Sequence, residues 1–186
     1  RKVADRSAGS ASDILRLVVP RRMVRAERSW QNAERAAAPE VQASTAEWAA
    51  AGLASFPGLE ESLSRGARIA LTAPTTPVTP GSPAPGWVGV LAAASAQLLA
   101  AGRSSILVVP DHRDLDQLEQ GLIAHGLGEA VIRTDAAQSA PARYGAYLRV
   151  LEPTPSIVIE PEAAGTIRNS ANLCSAARRQ KTKELG

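Results

Sequence analysis

Four polar residues near the middle of the chain carry side chains of the kind used in acid–base chemistry and phosphate binding. Asp111, His112, Arg113 and Asp114 follow the apolar run Ile106–Val109. An apolar run of that length is typical of a strand buried on both faces of a parallel sheet. Side chains placed just past the carboxyl ends of such strands lie where α/β proteins bind ligands. One interpretation is therefore an enzyme with its site at the strand ends, around Asp111 and Arg113.

The same positions also suit a structural role. No Ser or Cys is placed to complete a catalytic triad with these residues. Asp111 stands where it can cap the next helix, and Asp114 falls in that helix's first turn, where the helix dipole favours a carboxylate. We expect both carboxylates to be structural and keep Arg113 as a candidate phosphate contact.

A proline-rich segment lies between an apolar run and a predicted helix, which is where P-loop motors carry their phosphate-binding loop. That loop needs backbone N–H groups and a lysine to hold the phosphates. Residues 73–86 contain five prolines, two glycines and no lysine. Proline removes the backbone donor. The sequence therefore predicts an exposed loop that cannot bind ATP in this manner.

Arginines recur at close to helical spacing within residues 21–37, which we predict to form a helix: Arg21, Arg22, Arg25 and Arg28. The first, third and fourth of these would share one face, and arginines along a face suit phosphate binding. An equally good alternative is a solvated helix surface on which Arg25 is partly paired with Glu27 and nearby Glu34.

Charge is unevenly distributed along the chain. Residues 1–36 have nine basic and four acidic side chains, a net charge of +5, whereas the whole chain carries +3. This N-terminal surplus favours an acidic partner.

The single cysteine, Cys174, excludes an intrachain disulfide and suits a reducing, cytoplasmic setting. One cysteine and two separated histidines, His112 and His125, do not make a zinc site. We expect no metal and no cofactor in this chain. The longest apolar stretch, residues 88–101, is too short to span a bilayer.

The remaining pattern divides the chain into four segments. We predict that residues 1–38 form a helical basic segment, with helices at 3–8 and 11–19 in addition to the one at 21–37. Residues 39–66 are predicted to form a helical linker that is interrupted at Pro57-Gly58 and ends at Gly66. Residues 67–159 alternate apolar runs with helical segments, which predicts an α/β lobe with a parallel sheet. Its strands are 69–72, 106–109, 131–132 and 156–159, and its helices are 87–101, 112–125 and 140–151. Residues 160–186 are expected to be a disordered or irregular tail.

Three stretches in this order resemble the primosomal protein N′ (PriA) family of replication-restart proteins. They are ADRSAGSASDILRLVVPRR at 4–22, AGRSSILVVPDHRDLDQL at 101–118 and SIVI at 156–159. The stretch that begins at Gly86 is similar to the actinobacterial branch, which lacks the Walker A motif. Where the family continues with G-T-R-S-A, this chain reads Glu160-Pro161-Glu162-Ala163-Ala164.

The resemblance implies part of a helicase-like (RecA-like) lobe, preceded by a segment that follows a DNA-binding domain. It implies forked or single-stranded DNA and other primosome proteins as partners. ATP and zinc are implied only for full-length relatives. We therefore expect a fragment of a replication-restart protein that binds DNA without catalysis. An independent α/β enzyme and a non-functional truncation product remain the alternatives. DNA binding that is sensitive to salt and independent of nucleotide would favour the DNA-binding fragment over the independent enzyme.

Overall fold

A computed structural model of the chain describes residues 21–34, 37–72, 86–135 and 137–162. In chain order its elements are α1 Val24–Asn32, α2 Ala43–Ala54, α3 Leu59–Arg65, α4 Gly86–Ala100, β1 Ser105–Val109, α5 His112–Ala124, a 3-10 turn Gly128–Ala130, β2 Val131–Arg133, α6 Ala140–Val150 and β3 Ile157–Pro161. The predicted helices at 3–8 and 11–19, most of the proline loop and the tail beyond residue 162 lie outside the described residues.

The described residues group into two compact units. The helical unit contains α1 and α6 and comprises the described residues of 21–34 and 133–153, together with residue 162. The sheet unit comprises the described residues of 37–132 and 154–161. The segment predicted to be a linker contributes α2 and α3 to the sheet unit.

The sheet confirms the predicted α/β class with a parallel sheet. Its three strands are ordered β1-β3-β2. Strand β1 pairs with β3 in parallel, from Ser105 opposite Ile157 to Val109 opposite Pro161. Ile157 and Ile159 of the central strand are fully buried. Val158, whose side chain lies on the opposite face of the sheet, is buried as well. Burial on both faces explains why residues 157–159 are all apolar instead of alternating, before Glu160 and Pro161 complete the strand.

The predicted strand at 69–72 is wrong, because these residues form neither a strand nor a helix in the structure. Ile69 is 47% exposed and Leu71 is 42% exposed. Their apolar character suggested a strand, but strand preference mostly reflects packing against neighbouring strands. The predicted end of the last strand also needs correction, since β3 continues to Pro161.

Two glycines flank α3, one at the predicted break before this helix and one at its predicted end. Gly58 interrupts the chain between α2 and α3 with φ of 78°, and Gly66 closes α3 with φ of 65°. Both angles lie in the left-handed region, which glycine adopts without steric cost. The break at Pro57-Gly58 is therefore confirmed.

The core of the sheet unit is built around α4. This helix is apolar on nearly every side because α2, α3, α5 and β1 all pack against it. Val88 of α4 is fully buried, as are Leu115, Leu118 and Leu122 of α5. At the crossing of α4 and α5, a Cβ atom added to Gly121 would lie 2.3 Å from Val88 Cγ1. Glycine at this position lets the two helices approach closely.

Candidate nucleic-acid interface

Helix α1 has two distinct faces. Ala26, Glu27 and Trp30 lie on the partly buried side, and α1 packs against α6 in the helical unit. The indole N–H of Trp30 donates a hydrogen bond to Glu152 Oε1, just after α6. Packing and this hydrogen bond together fix which side of α1 faces solvent, and Arg25 and Arg28 lie on that exposed side.

The start of α1 differs from the prediction. The helix begins at Val24, preceded by Met23 in an extended conformation with φ of −123° and ψ of 92°. Arg21 and Arg22 therefore precede the helix instead of continuing its face. Only Arg25 and Arg28 share the predicted helical surface, and Arg21 is exposed immediately upstream.

One arginine of the set is already paired. Arg22 Nε lies 2.6 Å from Glu27 Oε2 and donates a hydrogen bond to it. This hydrogen bond, together with the negative charge of Glu27, raises the pKa of the Arg22 guanidinium above its ordinary value. The pairing that the sequence suggested between Glu27 and Arg25 is wrong, because the carboxylate bonds to Arg22. Arg21, Arg25 and Arg28 form no ion pair with any described residue.

Asp111 and Asp114, which follow β1, have the structural roles that the sequence predicts for them. Asp111 is the N-cap of α5, and its Oδ1 accepts a hydrogen bond of 2.9 Å from the backbone N–H of Asp114. Asp114 lies in the first turn, where the helix dipole stabilises a carboxylate. Arg113 is exposed in the same turn. It belongs to the sheet unit, whereas Arg21 to Arg28 belong to the helical unit.

Sequence reasoning missed two residues of the exposed α1 surface. Ser29 and Asn32 are both exposed, and at three to four residues per turn they lie on the same side as Arg25 and Arg28. The helical period could have identified them once the start of the helix was known.

The described ranges contain neither a candidate metal-binding cluster nor a membrane-spanning helix. No group of three or more His, Cys, Asp or Glu side chains within them could hold a metal ion. No helix within them is long and apolar enough to cross a membrane.

Comparison with known proteins identifies relatives of one kind. The chain is 35% identical over 163 residues to "Probable replication restart protein PriA" of Mycobacterium tuberculosis and of Mycobacterium bovis. It is 32% identical over 166 residues to the protein of the same name from Mycobacterium leprae. Each alignment covers 87% of this chain. No protein-family model matches the chain, and no solved structure does.

These alignments cover only 23% of the M. tuberculosis protein and 24% of the M. leprae protein, so the chain spans about a quarter of the length of these relatives. The segments that suggested the resemblance, at 101–118 and 156–159, enclose β1 and most of β3 of the sheet unit. The sequence is thus that of a relative of the mycobacterial replication restart protein PriA.

Proposed function

We propose that this chain is part of a PriA-like replication-restart protein and that it binds the phosphodiester backbone of DNA through arginines at the start of α1. The observation that carries the proposal is the 35% identity over 163 residues to proteins named for replication restart. Forked or single-stranded DNA and other primosome proteins are the proposed partners, and the cytoplasm is the proposed location.

The charge arrangement of α1 supports phosphate binding. Arg21, Arg25 and Arg28 are exposed and form no ion pair with a described residue, so their positive charge is available to a partner. Arginine presents several N–H donors in a planar fork that matches phosphate oxygens. Arg22 belongs to the same cluster, but its ion pair with Glu27 offsets its charge, so it contributes less positive charge to the surface than the other three arginines. Arg113 is the proposed contact in the sheet unit.

The helicase-like lobe is proposed to act as a scaffold without ATP hydrolysis. The segment 73–86 has no lysine, and five of its residues have no backbone N–H to offer a phosphate. The exposed turn at Asp111 to Asp114 caps its own helix, so these carboxylates are engaged in structure. We therefore assign no catalytic residue to the chain.

Salt dependence of DNA binding tests the proposal. The purified chain is titrated with fluorescently labelled single-stranded DNA at several NaCl concentrations, and the logarithm of the binding constant is plotted against the logarithm of salt. Each phosphate contact contributes a slope of about −0.7 on single strands. Replacing Arg21, Arg25 and Arg28 together with Ala should therefore flatten the slope by about two units.

A matched control uses an arginine of the sheet unit. Arg65 is exposed but paired with Glu61 at 2.6 Å, so Arg65→Ala should leave the slope unchanged. Cations elsewhere in the chain, including those of the tail, contribute equally to parent and variant and cancel in the difference. An unchanged slope in the triple variant would mean that α1 presents only a solvated surface.

A further inference from the structure

The exposed side of α1 carries a continuous stripe of hydrogen-bond donors. At 3.6 residues per turn, residues spaced i, i+3, i+4 and i+7 lie on one side of a helix. Arg25, Arg28, Ser29 and Asn32 have this spacing, and all four are exposed. The stripe rises about 10 Å along the helix at about 1.5 Å per residue. That length matches roughly three nucleotides of one duplex strand at about 3.4 Å each.

Acidic residues are absent from this stripe. The single acidic residue of α1, Glu27, lies on the other side, where its side chain is only 22% exposed and its carboxylate is bonded to Arg22. A helix surface that is merely solvated commonly mixes charges of both signs, since such pairs stabilise the helix. Here the two signs are separated, which leaves a surface that is complementary to an anion along its whole length.

We infer that Ser29 and Asn32 are additional contacts to the nucleic-acid backbone, lying between and beyond Arg25 and Arg28 on one binding surface. This inference rests on the proposed function, since it extends the same surface. Serine hydroxyls and asparagine amides are frequent donors to phosphate and sugar oxygens. In this proposal the two arginines supply the positive charge, and the two neutral side chains fix the position of the nucleic-acid backbone along α1.

Neutral donors and arginines leave different signatures in a salt titration. Only a cation displaces condensed counterions from the phosphates, so only an arginine contact contributes to the salt slope. Replacing Ser29 and Asn32 together with Ala should weaken binding by about tenfold at every salt concentration, since two neutral hydrogen bonds to the nucleic acid are lost. The slope should stay at the value of the parent chain.

The experiment compares three variants of the full chain: S29A/N32A, R25A/R28A and Q31A. Gln31 is an exposed, neutral polar residue of the same helix that lies outside the stripe, so Q31A should bind like the parent. The probes are a labelled single-stranded oligonucleotide and a labelled duplex, because both present the phosphodiester backbone. Alanine favours the helical state, and circular dichroism of each variant checks that α1 is retained.

The outcomes separate this inference from the proposed function. Weaker binding of S29A/N32A to both probes at unchanged slope, with Q31A unaffected, supports the inference. If R25A/R28A flattens the slope while S29A/N32A binds like the parent, the inference fails and the proposed function stands. If neither double variant changes binding, both fail. A loss confined to one probe would overturn the assignment to the shared backbone.

Discussion

Gly121 is the position where a single added methyl group should most clearly disturb the sheet unit. A Cβ atom there would lie 2.3 Å from Val88 Cγ1, whereas non-bonded carbon atoms pack at about 3.5–4.0 Å. Val88 is fully buried and its β-branched side chain is stiff about χ1, so it cannot turn away cheaply. Restoring an ordinary contact requires the α4 and α5 helices to move apart by more than about 1 Å.

The expected magnitude follows from two opposing effects. Replacing a helical glycine with alanine gains about 1 kcal/mol in helix propensity. Overpacking a close helix contact costs about 1–3 kcal/mol, and the short distance at Gly121 places this site at the upper end. We expect G121A to lower the free energy of unfolding by about 2 kcal/mol. For a chain of this size that is a fall in Tm of roughly 4–8 °C.

Urea denaturation followed by circular dichroism measures this effect, with Gly145→Ala as the matched control. Gly145 is also inside a helix, but a Cβ atom there would have no neighbour within 4 Å. G145A should therefore raise stability by up to about 1 kcal/mol. The double variant V88A/G121A should be more stable than the sum of the two single changes predicts, since removing the Val88 methyl groups relieves the contact. A G121A chain as stable as the parent would refute the close approach of α4 and α5.

Three further outcomes are expected. Replacing Asp111 with Ala removes the N-cap bond to the N–H of Asp114 and should destabilise the chain by about 1 kcal/mol, whereas Asp111→Asn should largely preserve it, as thermal unfolding can measure. The imidazole of His125 stacks on Trp48 with ring centroids 3.6 Å apart, and burial lowers its pKa below the ordinary value. The folded state therefore favours the neutral imidazole, whereas the unfolded chain takes up a proton more readily. The free energy of unfolding should consequently fall as the pH drops below about 6.5. A His125→Gln variant should show a smaller fall over the same pH range, and an equal fall would contradict this role. Isothermal titration should detect no Mg-ATP binding at millimolar concentrations, because the segment 73–86 lacks a lysine; a micromolar site would contradict the proposal of a lobe that does not bind ATP.

Local chemistry explains why most of the fold could be predicted from the sequence. The apolar run at 156–159 was predictable as β3 because a central parallel strand needs apolar side chains on both faces. The run at 106–109 forms β1, but the expected burial on both faces is wrong there: β1 lies at the edge of the described sheet, where Val108 is 39% exposed. Left-handed glycines and the Asp111 cap were predictable because each depends on the few residues around it. The outcome at 69–72 could not be predicted locally, since an apolar run becomes a strand only where a neighbouring strand pairs with it, and no described strand pairs with these residues.

The candidate site was only partly predictable for a similar reason. The arginines were visible in the sequence, but the face they share depends on where α1 begins. Met23 adopts an extended conformation, which separates Arg21 and Arg22 from the helix. The partner of Glu27 was also wrongly predicted, because the choice between Arg22 and Arg25 depends on the backbone path before the helix. Ser29 and Asn32 could be assigned to the exposed surface only once the partly buried face of α1 was known.

Arginine footprinting tests the proposed interface most directly. The chain is treated with phenylglyoxal in the presence and absence of single-stranded DNA, and modification of each arginine is measured by mass spectrometry. Binding of phosphates by α1 should protect Arg21, Arg25 and Arg28 and leave Arg65 as reactive as in the free chain. Protection confined to the arginines beyond residue 162, or no difference between Arg25 and Arg65, would contradict the assignment of the DNA-binding surface to α1.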